Sequence, residues 1–451
     1  MYDFIVIGAG IAGLACAELL QRSGRHVLLL EAQDRICGGA SAQQQGWFHT
    51  GALYAALPTR SYFRQLIGNL DDLFNYYRCF PGMNLAAGRY LLTRDAQGWF
   101  HNGTNYYFYV SPRDRSVQWW PGPLWRLATL RAQSRLSWFE TIDFTRELSP
   151  QVGPLNFTCH LSRCLSRRRF DFDLGPIDKV MKSRDRTLNT PRLTADLLNA
   201  FLAAGGELRT GARVERVERG RVHSRGTSDL CRHAIAASGC HLPEVAEIPV
   251  KSVKSPLLVV KQALTDVNFI RMTPTLSETL NHLHHTGPGG DYSLIGNARY
   301  WPLDAVVDEA SLKAELIVRT ERVFGTSIDP ARVALYFGTK TEALNGRQRR
   351  NYQYQIVEGR DAVAVLPGKM SLAFSLAVNV CRHFGIDPAT RLPDVRHQDA
   401  SARIAPPEHL VQAEALAAGV TPAPKRRPVS ALSLVKEQED WRLSTVHSTA
   451  T

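Results

Sequence analysis

Long apolar runs are missing from this 451-residue sequence, which has no uninterrupted stretch near the roughly 18 to 20 residues of a membrane-spanning helix. The N-terminus also lacks the basic and apolar stretch of an export signal, because Met1 leads directly into the strand-like run Tyr2–Ile7. No internal repeat is visible. We therefore expect a cytoplasmic protein with no integral membrane segment.

Cysteine is sparse and unpatterned. The chain has eight Cys, no C-x-x-C pair and no His/Cys cluster at zinc spacing. Disulfide scaffolds and zinc sites need such patterns, so both classes are excluded and we expect ordinary reduced thiols and no metal.

Lysine is scarce beside arginine. Arg supplies 44 of the 54 basic residues, and the segment from Arg60 to Arg169 holds fifteen Arg, seven acidic residues and no Lys. This segment accounts for +8 of the net charge of +12. A basic excess can indicate nucleic acid, a membrane surface or an anionic small molecule. With 44% hydrophobic and 21% charged residues, the bulk of the chain is globular, and its length predicts at least two lobes.

The first thirty residues carry the clearest pattern. Tyr2–Ile7 is typical of a buried strand, and residues 11–23 have helical apolar spacing. Between them, Gly8 permits a tight turn, Gly10 lets a pyrophosphate approach the backbone, and Gly13 lets the helix pack closely on the strand. The helix N-terminus then offers N–H groups to the phosphates.

A second strand is predicted over residues 26–30 and ends at Glu31. A carboxylate at this strand end is placed to accept the ribose hydroxyls, which favours an adenine dinucleotide with an unphosphorylated ribose. The pattern to this point does not separate FAD from NAD.

The next residues are more specific. Residues 33–41 have the sequence QDRICGGAS and residues 46–54 have the sequence GWFHTGALY. Together with the glycine turn, they resemble the FAD-dependent D-amino-acid oxidase/glycerol-3-phosphate dehydrogenase superfamily. The resemblance extends to the helix and strand of residues 191–217, the strand end HAIAASG of residues 233–239, and a strand, a PGKMS turn and a helix over residues 361–384.

The resemblance implies FAD as the cofactor and a turn at residues 367–371 that stabilises negative charge on the flavin. It assigns cofactor contacts to Gly8, Gly10, Ile11, Ala12, Gly13, Glu31, Ala32, Gly39, Ala40, Ser41, His49, Val214, Ala237, Ser238, Gly239, Gly368, Lys369, Met370 and Ser371. Pro367 stands where the glycerol-phosphate enzymes have a glycine.

The implied architecture is α/β, with a Rossmann-like FAD-binding domain in discontinuous segments and an inserted mixed-sheet substrate domain. We assign residues 1–60, 188–245 and 335–386 to the FAD-binding domain and residues 61–187 and 246–334 to the substrate domain. Residues 387–451 are expected to form a C-terminal helical extension and a flexible tail. The His-rich stretch 281–291 is interpreted as a polar loop near the flavin, since no carboxylate lies at helical metal-ligand spacing.

The predicted substrate domain contains interleaved aromatic and Arg residues, a combination that can bind single-stranded nucleic acid. Aromatics in a sheet are more often core, so no nucleic acid partner is expected, while the 60–169 region is available for a peripheral or acidic partner contact. The run Arg167-Arg168-Arg169 is either an anion clamp or a solvated surface.

The resemblance implies two catalytic candidates, His49 as a base and Lys340 as a cation for a carboxylate. The glycerol-phosphate enzymes carry Arg where this chain has Leu53, and a second Arg is matched by Lys340. The closer likeness is therefore to the 2-hydroxyacid dehydrogenase/oxidase branch. We expect an oxidoreductase that moves a hydride from a small anionic 2-hydroxy acid to the flavin. An amine or amino-acid oxidase and a non-catalytic FAD-binding interaction protein remain alternatives, and the electron acceptor is left open.

Overall fold

The computed structural model describes residues 1–49, 60–85, 97–101, 105–110, 142–143, 177–183, 185–273, 278–343, 352–393 and 400–420. Within these ranges, no helix combines the length and apolar character needed to cross a bilayer. Several features of the sequence lie outside the described residues: Gly51, Leu53, Trp119, Trp120, Trp125, Trp138, the run at 167–169 and the tail from 421 onward.

Strands dominate the described residues. They are β1 (Tyr2–Ile7), β2 (Val27–Leu30), β3 (Trp47–Phe48), β4 (Phe100–His101), β5 (Asn105–Val110), β6 (Ile142–Asp143), β7 (Ile177–Ser183), β8 (Arg186–Leu188), β9 (Glu207–Arg209), β10 (Val214–Glu218), β11 (Arg221–Ser224), β12 (Thr227–Ala236), β13 (Val250–Val260), β14 (Asn268–Met272), β15 (Leu280–Gly287), β16 (Gly290–Asn297), β17 (Trp301–Pro302), β18 (Val333–Ala343), β19 (Gln355–Glu358) and β20 (Val363–Leu366).

The α-helices of the same residues are α1 (Ile11–Arg22), α2 (Arg60–Asp72), α3 (Thr190–Ala203), α4 (Leu242–Ala246), α5 (Glu309–Phe324), α6 (Ala373–His383) and α7 (Glu408–Ala417). A π-helical turn, Leu73–Tyr77, continues α2, and a 3₁₀ turn, Met370–Leu372, precedes α6.

The first sheet has a parallel core in the order β9-β2-β1-β12-β20. The apolar runs of β1 and β2 are buried because helices cover one face and the β10–β11 hairpin with α4 covers the other. This arrangement confirms the predicted α/β class and places the glycine turn after the central strand β1.

The second sheet is antiparallel apart from the β5–β14 pair, in the order β17-β13-β16-β15-β14-β5-β7-β6 with β18 on β13. One face packs against α5, and the other shares a hydrophobic core with the first sheet and its helices. The predicted substrate-side aromatics Tyr106, Tyr107 and Phe108 are buried in β5, as expected for sheet residues. A small third sheet, β3-β8-β4, contributes buried side chains to the core that the first and second sheets share.

Several boundaries differ from those expected. Residues 281–291 are not a loop: they form most of the β15–β16 hairpin, in which Gly287 pairs with Gly290. Residues 335–343 belong to β18 in the second sheet, where an eleven-residue register with β13 holds them. The single strand expected over residues 207–217 is broken at Gly211 (φ +66°) into β9, which pairs with β2, and β10, which pairs with β11.

The described part of the C-terminal extension contains α7, which agrees with the predicted helix. Its His409 is stacked on His285 of β15, with ring centroids 4.5 Å apart, and its Nδ1 lies 2.7 Å from the Tyr292 hydroxyl of β16. Burial lowers the pKa of His409 to about 4 and that of His282 to about 3. These imidazoles are therefore neutral in the folded protein at pH 7.

Acidification should destabilise the protein through these buried histidines. Their folded pKa values lie below the ordinary value of 6.5, so the unfolded chain binds more protons between about pH 6.5 and pH 4. The free energy of unfolding, measured by chemical denaturation, is expected to fall as the pH is lowered through this window. His409→Gln, which keeps an acceptor for Tyr292, should reduce the decline, whereas His26→Gln at an exposed position should not. Equal pH dependence in all three proteins would contradict this assignment.

Candidate functional site

The turn between β1 and α1 allows no side chains at two of its glycines. Gly8 has φ +99°, and a Cβ there would lie 2.8 Å from the Ala237 carbonyl oxygen. A Cβ on Gly13 would lie 1.9 Å from the Gly8 carbonyl oxygen. Gly10 is different, because its Cβ would meet only the Ser41 Oγ at 3.4 Å. The fold therefore requires the outer glycines, and the middle one leaves open backbone at the helix N-terminus.

Glu31 and Ser41 meet the backbone of this turn. The Glu31 carboxylate accepts hydrogen bonds from the amides of Ala9 (2.9 Å) and Gln33 (3.0 Å). The Ser41 hydroxyl accepts from the Ile11 amide at 2.9 Å, in the first turn of α1. The acidic strand end predicted to bind ribose thus lies beside the predicted phosphate-binding turn.

The segment from Ile36 to Ala42, here called the cofactor loop, closes over the same turn. Its Cys37 amide donates to the Ala9 carbonyl at 3.0 Å, and Cys37 has φ +59°. Burial, and then the charge of Glu31, raises the pKa of the Cys37 thiol to about 12. Cys37 is therefore protonated at neutral pH and is a packing residue, while Gly39 and Ala40 are exposed.

The return strands bring their assigned residues to the same edge of the sheet. Ala237 follows β12, and its amide donates to the Ile7 carbonyl at 2.8 Å. The Ala212 amide donates to the Glu31 carbonyl at 2.8 Å, which places the start of β10, and so Val214, next to the acidic residue. Ala32 is exposed on the other side of Glu31.

A second glycine turn follows β20. Gly368 has φ +62°, and a Cβ there would lie 2.3 Å from the Gln353 carbonyl oxygen, so only glycine fits. The Lys369 ammonium lies 4.8 Å from the centroid of the Tyr352 ring. Met370 and Ser371 form the 3₁₀ turn that opens α6. The predicted turn and helix are therefore confirmed as structural elements.

Residues in and beside the two glycine turns suit a long dinucleotide. The hydroxyl oxygens of Ser238 and Ser371 are buried and have no hydrogen-bond partner in the described part of the chain. Buried hydroxyls without partners are costly, and a cofactor rich in acceptors and donors would satisfy them. The bare backbone at Gly10 and the exposed Gly39 leave room for its pyrophosphate.

His49 lies directly after β3 and is largely buried. Its Nδ1 is 2.8 Å from Oδ2 of the fully buried Asp185, and the Tyr107 hydroxyl donates to the same oxygen. The Trp47 ring stacks parallel to the imidazole, with centroids 5.8 Å apart and planes inclined by 8°. Because a carboxylate only accepts, Nδ1 carries a proton and donates it to Asp185, and in the neutral imidazole Nε2 is then the acceptor nitrogen.

The sequence pattern missed Asp185 and Tyr107. Asp185 lies 136 residues from His49, and the two meet because β3 pairs with β8 in the register Phe48 to Arg186. Tyr107 comes from the second sheet through β5. No local pattern marks either residue, and only this pairing register could have located the acid.

The strand that precedes His49 lies near the second glycine turn. Phe48 of β3 packs on Phe374 at the start of α6, with ring centroids 6.5 Å apart. β3 therefore lies near the helix that follows residues 368–371, which the sequence assigned to the flavin edge. Gly51, the other residue assigned beside the flavin, lies outside the described residues.

Lys340 extends from β18 of the second sheet. Its ammonium is 3.2 Å from the Tyr300 hydroxyl and 4.7 Å from the centroid of that ring. Side chains alternate along the strand, so Lys340 shares a face with Gly338. A Cβ on Gly338 would lie 2.9 Å from the Gln43 carbonyl oxygen, and thus this face is directed toward the segment that leads to His49.

No group of three or more His, Cys, Asp or Glu side chains in the described residues is arranged to hold a metal ion. His282 and His284 of the His-rich stretch do not reach a common point with His285. His282 Nδ1 lies 2.8 Å from the Val267 carbonyl oxygen, and His284 Nε2 lies 3.5 Å from Asp291.

A family model described as "DAO: FAD dependent oxidoreductase" matches residues 3–339 of the chain. Among curated proteins, a 47-residue segment is 51% identical to the tRNA 5-methylaminomethyl-2-thiouridine biosynthesis bifunctional protein MnmC of Burkholderia thailandensis. That segment is 10% of this chain and spans only 7% of the length of the relative.

Solved structures of similar fold extend over most of the chain. NikD, an amino acid oxidase of nikkomycin biosynthesis, has a TM-score of 0.59 at 18% identity, and the match covers 88% of this chain and 99% of NikD. The FAD-bound L-α-glycerophosphate oxidase of Mycoplasma pneumoniae has a TM-score of 0.57 at 13% identity, with coverages of 87% and 97%. At these identities the likeness concerns the fold.

Replacing Gly10 by Ala should separate cofactor binding from folding. The new Cβ has only one near contact, at 3.4 Å, so the thermal unfolding temperature of the apoprotein is expected to change little. If the pyrophosphate lies against this backbone, FAD affinity should drop by about tenfold or more, which corresponds to about 1.4 kcal/mol. Fluorescence titration of the apoprotein with FAD measures this loss.

Gly68→Ala in α2 is the matched control, since its Cβ would meet nothing within 4 Å. It should leave FAD affinity unchanged. Equal affinities for the Gly10→Ala protein and this control would show that the pyrophosphate lies elsewhere.

Proposed function

This chain belongs to the DAO family of FAD-dependent oxidoreductases, and we propose that its substrate is a small anionic 2-hydroxy acid. Bound FAD supplies a two-electron acceptor that takes a hydride at its N5 position. The chain must then bind the acid, orient the C–H bond and receive the hydroxyl proton.

The observation that carries the proposal is the buried His49–Asp185 pair. The 2.8 Å contact holds the proton on Nδ1 and makes Nε2 the proton acceptor. Asp185 also stabilises the imidazolium that forms when Nε2 takes a proton, and Tyr107 fixes the carboxylate in place. This arrangement is suited to a general base.

A base matters more for an alcohol than for an amine. As the C–H bond breaks and its electron pair leaves as hydride, the O–H bond must also break for the carbon–oxygen double bond to form. The proton goes to His49 Nε2, and the product is a 2-oxo acid. An amine that binds in its neutral form, having left its extra proton in solvent, already has a lone pair that can form the carbon–nitrogen double bond, so it needs no such base. The pair therefore favours a C–O donor.

Lys340 is the proposed partner of the substrate carboxylate. An ammonium group has three N–H donors, and the Tyr300 hydroxyl accepts one of them. Tyr300 also holds the side chain in place through its ring face. Lys340 lies on the face of β18 that is directed toward the segment leading to His49. This position suits an acid whose carboxylate meets Lys340 and whose other end meets His49.

An amino acid is the second candidate, because the fold is shared with amino acid oxidases such as NikD. The decisive experiment is anaerobic mixing of the purified yellow protein with a panel of 2-hydroxy acids and 2-amino acids. Bleaching of the visible flavin band by hydroxy acids is the expected result. Bleaching by amino acids alone would replace the proposal with the second candidate, and bleaching by no member would remove both.

Loss of the proposed base His49 should slow the reduction of the flavin by a hydroxy acid. His49→Asn is expected to slow flavin reduction by the reactive hydroxy acid by about 10²- to 10⁴-fold, the usual contribution of a general base. Asp185→Asn should also slow it, because the amide removes the charge that stabilises the imidazolium. Stopped-flow absorbance measures these rates, and the visible spectrum reports FAD content.

Exposed His26→Asn serves as the control and should reduce its flavin at the wild-type rate. An unchanged rate in His49→Asn with unchanged FAD content would eliminate His49 as the base.

Replacing Lys340 by Met should raise the KM for the acid by about tenfold or more, the effect of losing one charged hydrogen bond. Lys254 offers a matched control on the neighbouring strand. It also lies over an aromatic ring, 5.3 Å from the Phe337 centroid, but β13 pairs Val253 with Lys340, so Lys254 is directed to the opposite face. Steady-state kinetics should show no change in KM for Lys254→Met, and equal effects in both variants would argue against a carboxylate at Lys340.

A further inference from the structure

The C-terminal segment 400–417 crosses the cofactor loop. Ile404 forms a parallel bridge with Ile36: the Ile36 amide donates to the Arg403 carbonyl, and the Ala405 amide donates to the Ile36 carbonyl, both at 2.9 Å. Four residues later, the Glu408 amide donates to the Ala42 carbonyl at 2.7 Å. The segment therefore holds the cofactor loop at both of its ends.

The loop is held at a place where its backbone is strained. Cys37 has φ +59°, a left-handed conformation that costs a non-glycine residue free energy. The bonds to Arg403 and Ala405 fix Ile36, the residue just before it. Contacts from outside the loop therefore maintain the conformation that carries Gly39, Ala40 and Ser41 to the glycine turn.

The other end of the segment is anchored on the second sheet. Helix α7 lies across the β15–β16 hairpin, where a Cβ on Gly287 would be 3.1 Å from Leu410. His409 contacts Tyr292 and His285 in the same hairpin. The second sheet thus supplies a rigid base from which residues 403–408 reach the cofactor loop.

We propose that residues 400–417 are part of the FAD-binding site and act as a clamp that keeps the cofactor loop in its binding conformation. The matched family model ends at residue 339, so this segment lies beyond it. The clamp contributes to affinity because the apparent dissociation constant rises as the binding-competent fraction of the loop falls. It acts on the cofactor and does not depend on which substrate is oxidised.

Ile404→Ala tests the clamp in the full-length protein. Ile404 is buried beside Ile36 in the shared core, at 7% exposure. Shortening the Ile404 side chain should raise the dissociation constant of FAD by about tenfold or more. This change is expected if the fraction of protein whose cofactor loop is competent to bind FAD falls to about a tenth. Ile404→Val should show a smaller change in the same direction and remains informative if the Ala variant does not fold.

Ile386→Ala is the matched control. Ile386 is 6% exposed in the same core, but among the described residues no hydrogen bond or bridge joins it to the cofactor loop. It should lower the thermal unfolding temperature as Ile404→Ala does and leave the FAD dissociation constant nearly unchanged. Equal loss of FAD affinity in the two variants, or no loss in either Ile404 variant, would overturn the clamp.

Hydrogen exchange of the wild-type protein gives an independent test, because coupling between two sites is reciprocal. If the clamp favours FAD binding, FAD must slow exchange at the Ala405 and Glu408 amides that hold the loop. Peptides covering residues 400–410 are expected to gain protection when FAD is added to the apoprotein, while peptides from α5 are not. Unchanged exchange at 400–410, with protection gained at residues 9–11, would show that the segment is not coupled to the cofactor.

Discussion

The close approach of α1 to the end of β1 is the constraint on which the rest of the site depends. A Cβ on Gly13 would lie 1.9 Å from the Gly8 carbonyl, so the helix reaches this position only because residue 13 has no side chain. The approach turns the α1 N-terminus toward Ser41 and leaves the Ala9 amide beside Glu31. Ala237, at the end of the neighbouring strand, packs against the same turn. The predicted cofactor residues Glu31, Ser41 and Ala237 converge because each contacts this one turn.

The proposed chemistry depends on a second convergence, between short strands. β3 has only two residues, and its pairing with β8 places His49 opposite Asp185. Tyr107 then joins the two sheets through the same carboxylate oxygen. A histidine held in this way loses little orientational freedom during the reaction, which is how a buried acid makes an imidazole an effective base. The proposed catalytic pair is therefore positioned by tertiary pairing and not by the local sequence around either residue.

Local chemistry made the two glycine turns predictable from sequence. Backbone geometry requires glycine at positions 8, 13 and 368, and such a requirement can be recognised at each position separately. The β15–β16 hairpin contradicts the predicted loop. Its histidines, Gly and Pro indicate polar, irregular chain, whereas cross-strand packing decides the state of such a segment. Residues 335–343, predicted to lie in the FAD-binding domain, pair with the second sheet for a similar reason. Their partner β13 lies about eighty residues earlier, and nothing local specifies that register.

The face that a strand side chain occupies matters as much as the strand itself. Lys254 and Lys340 lie on paired strands, and each is near an aromatic ring. Because β13 pairs Val253 and not Lys254 with Lys340, the two ammonium groups emerge on opposite faces of the sheet. A slip of β18 by one residue would move Lys340 to the face that holds Lys254. Composition alone cannot distinguish these two cations, although a carboxylate bound near His49 would meet only the one that shares a face with Gly338. The positive charge proposed to meet the substrate is thus selected by sheet register.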